Sequence, residues 1–263
     1  TLDAKLSIGE VKASWYYLEP MIKFKNVQLY DKSGKSPLLK IKQLNVGINL
    51  WQSLLAREVQ IGTLVVSGAH FSVNQLSDKQ IEIKGLPNAI DVSESQTETA
   101  TAFDKNKLLN RLLKQRRLIL EDITVDLLKN NQKVASGRLD VALINRGEHH
   151  ELDGIVRLLE PYPVQFSVAM KLRGTLAEKK HVKGQFYLKG TDVPVGKWLG
   201  DRTYAGLTSK GGVLSAEVWG QIKHGHLRNV TSQFDLRQLV LQLQGKKDAL
   251  KINQAGGNVQ WLR

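Results

Sequence analysis

Residues 164–173 read Val-Gln-Phe-Ser-Val-Ala-Met-Lys-Leu-Arg, and this alternation of apolar with polar or small residues decides the fold class of the chain. Successive side chains of a β-strand point to opposite faces, so this strand has one apolar face and one polar face. The same period of two recurs from Leu44 to Leu50 and from Leu239 to Leu243. A chain built from such strands forms a sheet with a continuous apolar surface, which a second sheet, a helix or a lipid must cover.

The composition fits a β protein with one solvated sheet face. The 263 residues are enough for one large or two small β domains, and 41% are apolar. There is no cysteine, so disulfides and thiolate chemistry are excluded. The net charge is +13, which suits either a polyanionic partner or simple solubility. Basic residues at strand spacing, such as Lys23 and Lys25, indicate a polar outer face, and no nucleic-acid partner is predicted.

The strand-like segments follow one another through short turns, which predicts an antiparallel meander. The breaks include a helical turn at Leu50–Leu55, a second at Gly196–Leu199 and glycines such as Gly68. About fifteen strands form too wide a sheet to stay flat, so the sheet should curl or split. The predicted fold is mainly β: a long, curled, twisted antiparallel sheet with one amphipathic helix and short helical turns.

A single helix is predicted from Asp104 to Arg117, after a mobile polar loop at Asn88–Ala102. Its leucines cap the sheet or, in a second interpretation, the helix lies on an anionic membrane or gates a groove. The candidate residues for that second role are Leu108, Leu109, Arg111, Leu112 and Leu113. The predicted segments are 1–87, 88–117 and 118–263, which together form one continuous unit.

No segment supplies a recognisable catalytic motif. Phosphate-binding loops, dinucleotide fingerprints, a Gly-x-Ser-x-Gly elbow and a His-Glu-x-x-His motif are all missing. His149 and His150 form one histidine cluster and His224 with His226 another, but neither shows a full set of four zinc ligands. We therefore predict no catalytic residue, metal or cofactor, and a protein that is not an enzyme.

Several stretches occur in an order that resembles one family. They are LSIGEVKASW at 6–15, VGINLWQSLL at 46–55, YLKGTD at 187–192 and GVLSAEVWG at 212–220. This series resembles the AsmA-like envelope proteins, which include TamB. The resemblance runs from about Leu6 to Gly220, and its most specific element is the Leu-Trp-Gln-Ser-Leu-Leu turn.

The resemblance implies a periplasmic β-groove, lined by apolar residues, behind an anchor in the inner membrane. Such a groove moves phospholipids between the inner and outer membranes of Gram-negative bacteria and supports the outer-membrane barrier. The chain starts at Thr1 and has no apolar run of roughly 20 residues, so we expect it to be cut from a longer protein that carries the anchor helix.

Phospholipid, the inner membrane and other envelope proteins are the expected partners. The alternating strands supply the candidate groove-lining residues, which are Leu44, Val46, Ile48, Val164, Phe166, Val168, Met170, Leu241 and Leu243. An alternative is a structural or adaptor β domain with a sealed core that binds envelope proteins. An enzyme acting on envelope polysaccharide is a third possibility, and converging carboxylates would favour it.

Overall fold

The computed structural model describes residues 5–16, 19–30, 37–77, 80–84, 115–174, 181–199, 203–204, 206–245 and 248–262. Within these ranges the chain is mainly β, with fifteen strands and two short helices. The strands form an open, largely antiparallel sheet, which confirms the predicted fold class. The chain divides into two compact units, Thr1–Arg146 and Gly147–Arg263.

Unit 1 is a sheet in the order β1-β3-β4-β5-β7-β8, with β2 added to β3 and β6 added to β5. Its elements are β1 (Lys5–Ser7), β2 (Glu10–Tyr16), β3 (Glu19–Tyr30), β4 (Pro37–Ile48), α1 (Leu50–Ala56), β5 (Ile61–Ser77), β6 (Gln80–Lys84), β7 (Arg117–Lys129) and β8 (Gln132–Arg146).

One pair in unit 1 departs from the predicted antiparallel meander. β5 and β7 run parallel, with Thr63 opposite Arg117 and Gln75 opposite Lys129. Parallel neighbours need a crossover connection of a dozen or more residues, and the chain between these two strands is long enough. This pairing joins β7 to the N-terminal strands, and the boundary between the two compact units lies at Arg146–Gly147.

Unit 2 is an antiparallel meander in the order β9-β10-β11-β13-β14-β15, with β12 paired to β13. Its elements are β9 (His149–Glu160), β10 (Val164–Arg173), β11 (Lys183–Val193), α2 (Val195–Leu199), β12 (Thr203–Tyr204), β13 (Leu207–Lys223), β14 (His226–Leu243) and β15 (Ala249–Leu262).

Some strands are longer than the sequence predicted. The expected break at Gly68 lies inside β5, and the segment from Leu239 to Leu243, whose alternation suggested a separate strand, is the end of β14. Gly68 and Gln238 adopt left-handed backbone (φ 65° and 53°), and the ladder of hydrogen-bonded pairs resumes on both sides of each. The breaks are therefore local bends within continuous strands.

The two helical turns are confirmed, and α1 shows why its sequence is helical. The side chain of Asn49 accepts a hydrogen bond from the backbone N–H of Gln52 at 3.1 Å, which satisfies one free donor of the first turn. Arg57 ends the helix with left-handed backbone. The helix predicted at Asp104–Arg117 falls mostly outside the described residues, but its last residue was assigned wrongly: Arg117 is held in β7 by pairing with both Thr63 and Ile144.

Candidate functional site

The strands of unit 1 align their apolar residues in rows on one face. Directly paired residues of neighbouring strands share a face, so the register identifies each row. One row is Phe24, Leu44, Val66, Leu120 and Val141, and the next is Ile22, Val46, Leu64, Leu118 and Leu143. The opposite face carries a polar row of Lys25, Gln43, Ser67 and Glu121.

Unit 2 repeats this arrangement around β10. One row is Val156, Phe166, Gly190, Ala216 and Phe234. The second is Gly154, Val168, Leu188, Val218, Ser232 and Val259, and the third is Leu152, Met170, Phe186, Gly220, Val230 and Trp261. We call the surface formed by these three rows the apolar face of unit 2.

The apolar face of unit 2 is not sealed by the residues that the structure describes. Phe166, Val168 and Met170 are only partly buried. Further along the rows, Leu188 is 37% exposed and Val259 is 55% exposed. The facing residues of a closed β-sandwich are packed into a core, so this face is open to a ligand or partner.

Left-handed residues bend the sheet of unit 1 across several strands. Asn26, Gly68 and Asp122 have φ of 53°, 65° and 53° on β3, β5 and β7. The adjoining residues Val27, Ala69 and Ile123 are the most buried apolar side chains described in this unit, with exposures of 6%, 1% and 2%. Such irregularities increase the local bend and twist of a strand, and here the side chains beside the bend pack most tightly.

Ion pairs hold these bends on the polar side. Asp122 accepts from Lys42 Nζ at 3.2 Å and from Arg138 Nε at 3.0 Å. In unit 2 the left-handed Asp192 pairs with Arg237, and its backbone N–H donates to Ser215 Oγ at 3.1 Å. These side chains are half-exposed or more, so the ion pairs contribute little to the free energy of unfolding, and we infer that they mainly position the bends.

The tryptophans of the two short helices differ in how they are packed. In α2, Trp198 packs edge-on against Phe166 with ring centroids 6.0 Å apart, and so covers one end of the apolar face of unit 2. In α1, by contrast, Trp51 is 77% exposed and Leu55 is 84% exposed. Trp15, on β2, is 70% exposed. Unit 1 therefore presents large apolar side chains that no described residue covers.

The polar face of unit 2 carries paired charges. Glu217 accepts hydrogen bonds from Lys189 Nζ at 2.8 Å and from Tyr187 Oη at 3.1 Å. These two bonds hold the pKa of Glu217 below its ordinary value, and the bond to Glu217 raises the pKa of Lys189. Tyr187 also packs on Trp219, with ring centroids 5.6 Å apart. The described residues contain no group of three or more acidic or histidine side chains placed to hold a metal ion.

The structure brings together some of the predicted groove-lining residues. Leu44 and Val46 lie in the two apolar rows of unit 1, and Ile48 follows them past a register shift to pair with Ile61. In unit 2, Phe166, Val168 and Met170 lie in the three rows, and Val164 is buried beside them opposite Leu158.

Leu241 and Leu243 share no row with these β10 residues. They lie beyond the bend at Gln238, where Leu241 pairs with Leu250 and Leu243 pairs with Leu207. The helix candidates Leu108, Leu109, Arg111, Leu112 and Leu113 lie outside the described residues. Contact of any of these residues with lipid stays a prediction.

The alternation in the sequence did not reveal the apolar residues that β11 contributes. Phe186 and Leu188 lie in the rows of unit 2, but Tyr187 between them is also aromatic and points to the polar face. The three consecutive apolar or aromatic residues 186–188 therefore obscure the alternation in the sequence. The flanking polar residues Gln185 and Lys189, which share the face of Tyr187, are the sequence feature that indicates which face each residue occupies.

An open sheet with one apolar and one polar face defines the class of protein: an open-sheet β protein of the kind that the AsmA-like resemblance implies. The family model described as YhdP protein matches residues 1–263. The chain therefore belongs to the YhdP family. No curated protein and no solved structure gives a significant match to the chain. No described helix is both long and apolar enough to cross a membrane.

Proposed function

We propose that the chain is a non-enzymatic segment of a lipid conduit, which carries phospholipid acyl chains along its apolar face. The observation that carries the proposal is the partial exposure of the three apolar rows of unit 2, which the described residues do not cover completely. Each buried CH₂ group contributes ~0.8 kcal/mol, so an acyl chain of roughly fourteen methylenes gains on the order of 11 kcal/mol from a complete apolar path. The charged headgroup remains in water.

The family supports the finer parts of this proposal. We infer a periplasmic position and an anchor in the inner membrane through a segment that precedes the chain in the full-length protein. Transport then runs between the inner and outer membranes and maintains the outer-membrane barrier. Fractionation of cells that produce the full-length protein tests the location: recovery with the cytosol would contradict it.

The conduit is tested by placing a charge on each face of the same strand. Val168→Asp puts a carboxylate in the middle apolar row, where a bound acyl chain would displace the water that solvates the charge, so lipid binding should fall about tenfold or more. Ser167→Asp is the matched control, because position 167 lies on the polar face opposite Lys189. Lipid that co-purifies with each folded variant is measured by mass spectrometry. Equal lipid content in both variants would overturn the proposal.

A second function, an adaptor that binds envelope proteins, is favoured by the exposed apolar side chains of α1. An adaptor would use Trp51, Leu54 and Leu55, which are 77%, 71% and 84% exposed. The triple variant with serine at these positions separates the two functions. Loss of barrier function with unchanged lipid binding supports an adaptor, whereas intact barrier function supports the conduit alone.

A further inference from the structure

A row of basic side chains crosses the polar face of unit 2 at one end of its sheet. Arg173 at the end of β10 pairs with His149 on β9 and with Lys183 on β11. Lys223 on β13 follows Ile222, which pairs with Gly184, so Lys223 is the neighbour of Lys183. Adjacent strands are about 4.8 Å apart, and this register therefore places like charges side by side on successive strands.

These side chains line an open cavity of about 680 Å³. The charged and titratable residues around it are the basic His149, His150, His181, His224, Lys171, Lys183, Lys223 and Arg173, with one acidic residue, Glu151. Oε1 of Glu151 lies 3.8 Å from Nζ of Lys171, so the carboxylate charge is already paired with a lysine. The cavity is strongly positive.

Several other basic side chains among the described residues have carboxylate partners. Lys189 pairs with Glu217 at 2.8 Å and Lys133 pairs with Asp126 at 3.2 Å. Among the residues that the structure describes, Arg173, Lys183 and Lys223 have no such partner. Like charges directly opposite each other destabilise a sheet, so this row costs stability unless an anion neutralises it.

We propose that this cavity binds a phosphate group. Arg173 presents a planar fork of donors that matches phosphate oxygens, and Lys183 with Lys223 add two compact positive charges. His149 and His224, which also line the cavity, can each add an N–H donor. The phosphate belongs either to a soluble phosphorylated molecule or to a lipid headgroup. Arg173, Lys183 and Lys223 occupy polar-face positions of the register, and phosphate binding by them does not depend on the proposed conduit.

The site is tested by titrating the whole 263-residue chain with inorganic pyrophosphate in a calorimeter at low salt. The variant Arg173→Gln/Lys183→Gln/Lys223→Gln should bind at least about tenfold more weakly, since even one charge-assisted hydrogen bond has about that effect. Its thermal midpoint should equal or exceed that of the unmodified chain, because like-charge repulsion is removed. That midpoint also shows that the variant is folded.

The matched control is Lys5→Gln/Lys40→Gln/Lys251→Gln, which removes three exposed charges outside the cavity. It should keep pyrophosphate affinity within about twofold, because exposed charges at a distance are screened. Equal weakening in both triple variants, or no pyrophosphate binding by the unmodified chain, would overturn the proposal.

Vesicles distinguish the two sources of the phosphate. Flotation is compared between vesicles of phosphatidylcholine and vesicles that contain phosphatidylglycerol. If the cavity variant loses both pyrophosphate and phosphatidylglycerol binding, the site takes a headgroup; if it loses pyrophosphate alone, the ligand is soluble. Neither result depends on acyl-chain transfer, so the Val168→Asp experiment can fail while this one succeeds.

Discussion

At the scale of single residues, Gly68 shows how a strand bends without ending. Its φ of 65° is left-handed, and a Cβ at this position would lie 2.9 Å from Cβ of Lys42 and closer still to the rest of that side chain. A residue other than glycine meets both a backbone penalty and a close contact. The position therefore needs glycine for two separate physical reasons.

We predict that Gly68→Ala lowers the free energy of unfolding by more than the roughly 1–2 kcal/mol of the backbone penalty alone. The matched control is Gly147→Ala, because Gly147 has a similar φ of 60° with nothing within 4 Å of the added Cβ. Denaturant unfolding of both variants measures the difference. Equal effects would show that the approach of Lys42 is unimportant.

Asp126 is the most connected carboxylate on the described part of unit 1. Burial raises its pKa, but hydrogen bonds from Ser136 Oγ at 2.6 Å and from His70 and Lys133 outweigh that effect and leave the pKa below its ordinary value of 3.8. A carboxyl with a lowered pKa in the folded state stabilises the fold above its unfolded pKa. This stabilisation is lost as pH falls through the lowered value.

We predict that Asp126→Asn destabilises the chain by about 1–3 kcal/mol at pH 7 and removes part of the stability loss seen below about pH 4. Asp153→Asn is the control, since Asp153 is exposed and has no hydrogen-bond partner among the described residues. Thermal unfolding from pH 7 down to pH 3 measures both variants. A parallel pH dependence in Asp126→Asn and the unmodified chain would contradict the prediction.

At the scale of elements, β10 shows which part of the fold was readable from the sequence. Its apolar and polar residues alternate without a break, and the structure gives the strand as Val164–Arg173, the same residues as the alternating stretch of the sequence. In β14 the left-handed backbone of Gln238 interrupts the alternation of apolar and polar residues. The sequence of this one strand therefore resembles two shorter strands. A pattern of period two identifies a strand only where the backbone stays extended.

If β10 contacts lipid, a photo-activated cross-linking residue should label lipid with a period of two along it. We predict labelling from positions 166, 168 and 170, and little from 165, 167 and 169, because the two sets lie on opposite faces. Mass spectrometry of the cross-linked lipid measures the yield at each position. Equal labelling along the strand would contradict a one-sided lipid path.

The sequence did not predict which distant strands are neighbours in the sheet. Thr63 lies opposite Arg117 although more than fifty residues separate them. Strand patterns indicate which face a residue occupies but carry no information on which distant strand is the neighbour. For that reason the parallel pair β5–β7 and the unit boundary at Arg146–Gly147 were not predicted.

At the scale of the whole molecule, a ligand that covers the open apolar face should raise the free energy of unfolding of the chain. A ligand that binds only the folded chain stabilises it by about 2.7 kcal/mol at a concentration of 100 times Kd. We predict that delipidated chain melts about 5–10 °C higher when saturated with short-chain phosphatidylcholine below its micelle concentration. Differential scanning fluorimetry measures the shift.

The Val168→Asp variant is the control for this shift. Its apolar face is interrupted in the middle row, so added lipid should raise its midpoint much less. An equal shift in the variant and the unmodified chain would place lipid elsewhere on the molecule. No shift in the unmodified chain would favour the adaptor function.

The sequence by itself determined the mainly β fold class, the two faces of strands such as β10 and the family, because alternation and ordered motifs are local properties of the chain. Only the tertiary structure decided that the apolar rows of unit 2 remain partly exposed, since burial depends on which other elements cover a face. The basic cavity is a second example. Arg173, Lys183 and Lys223 lie on three different strands, and strand register brings their charges together.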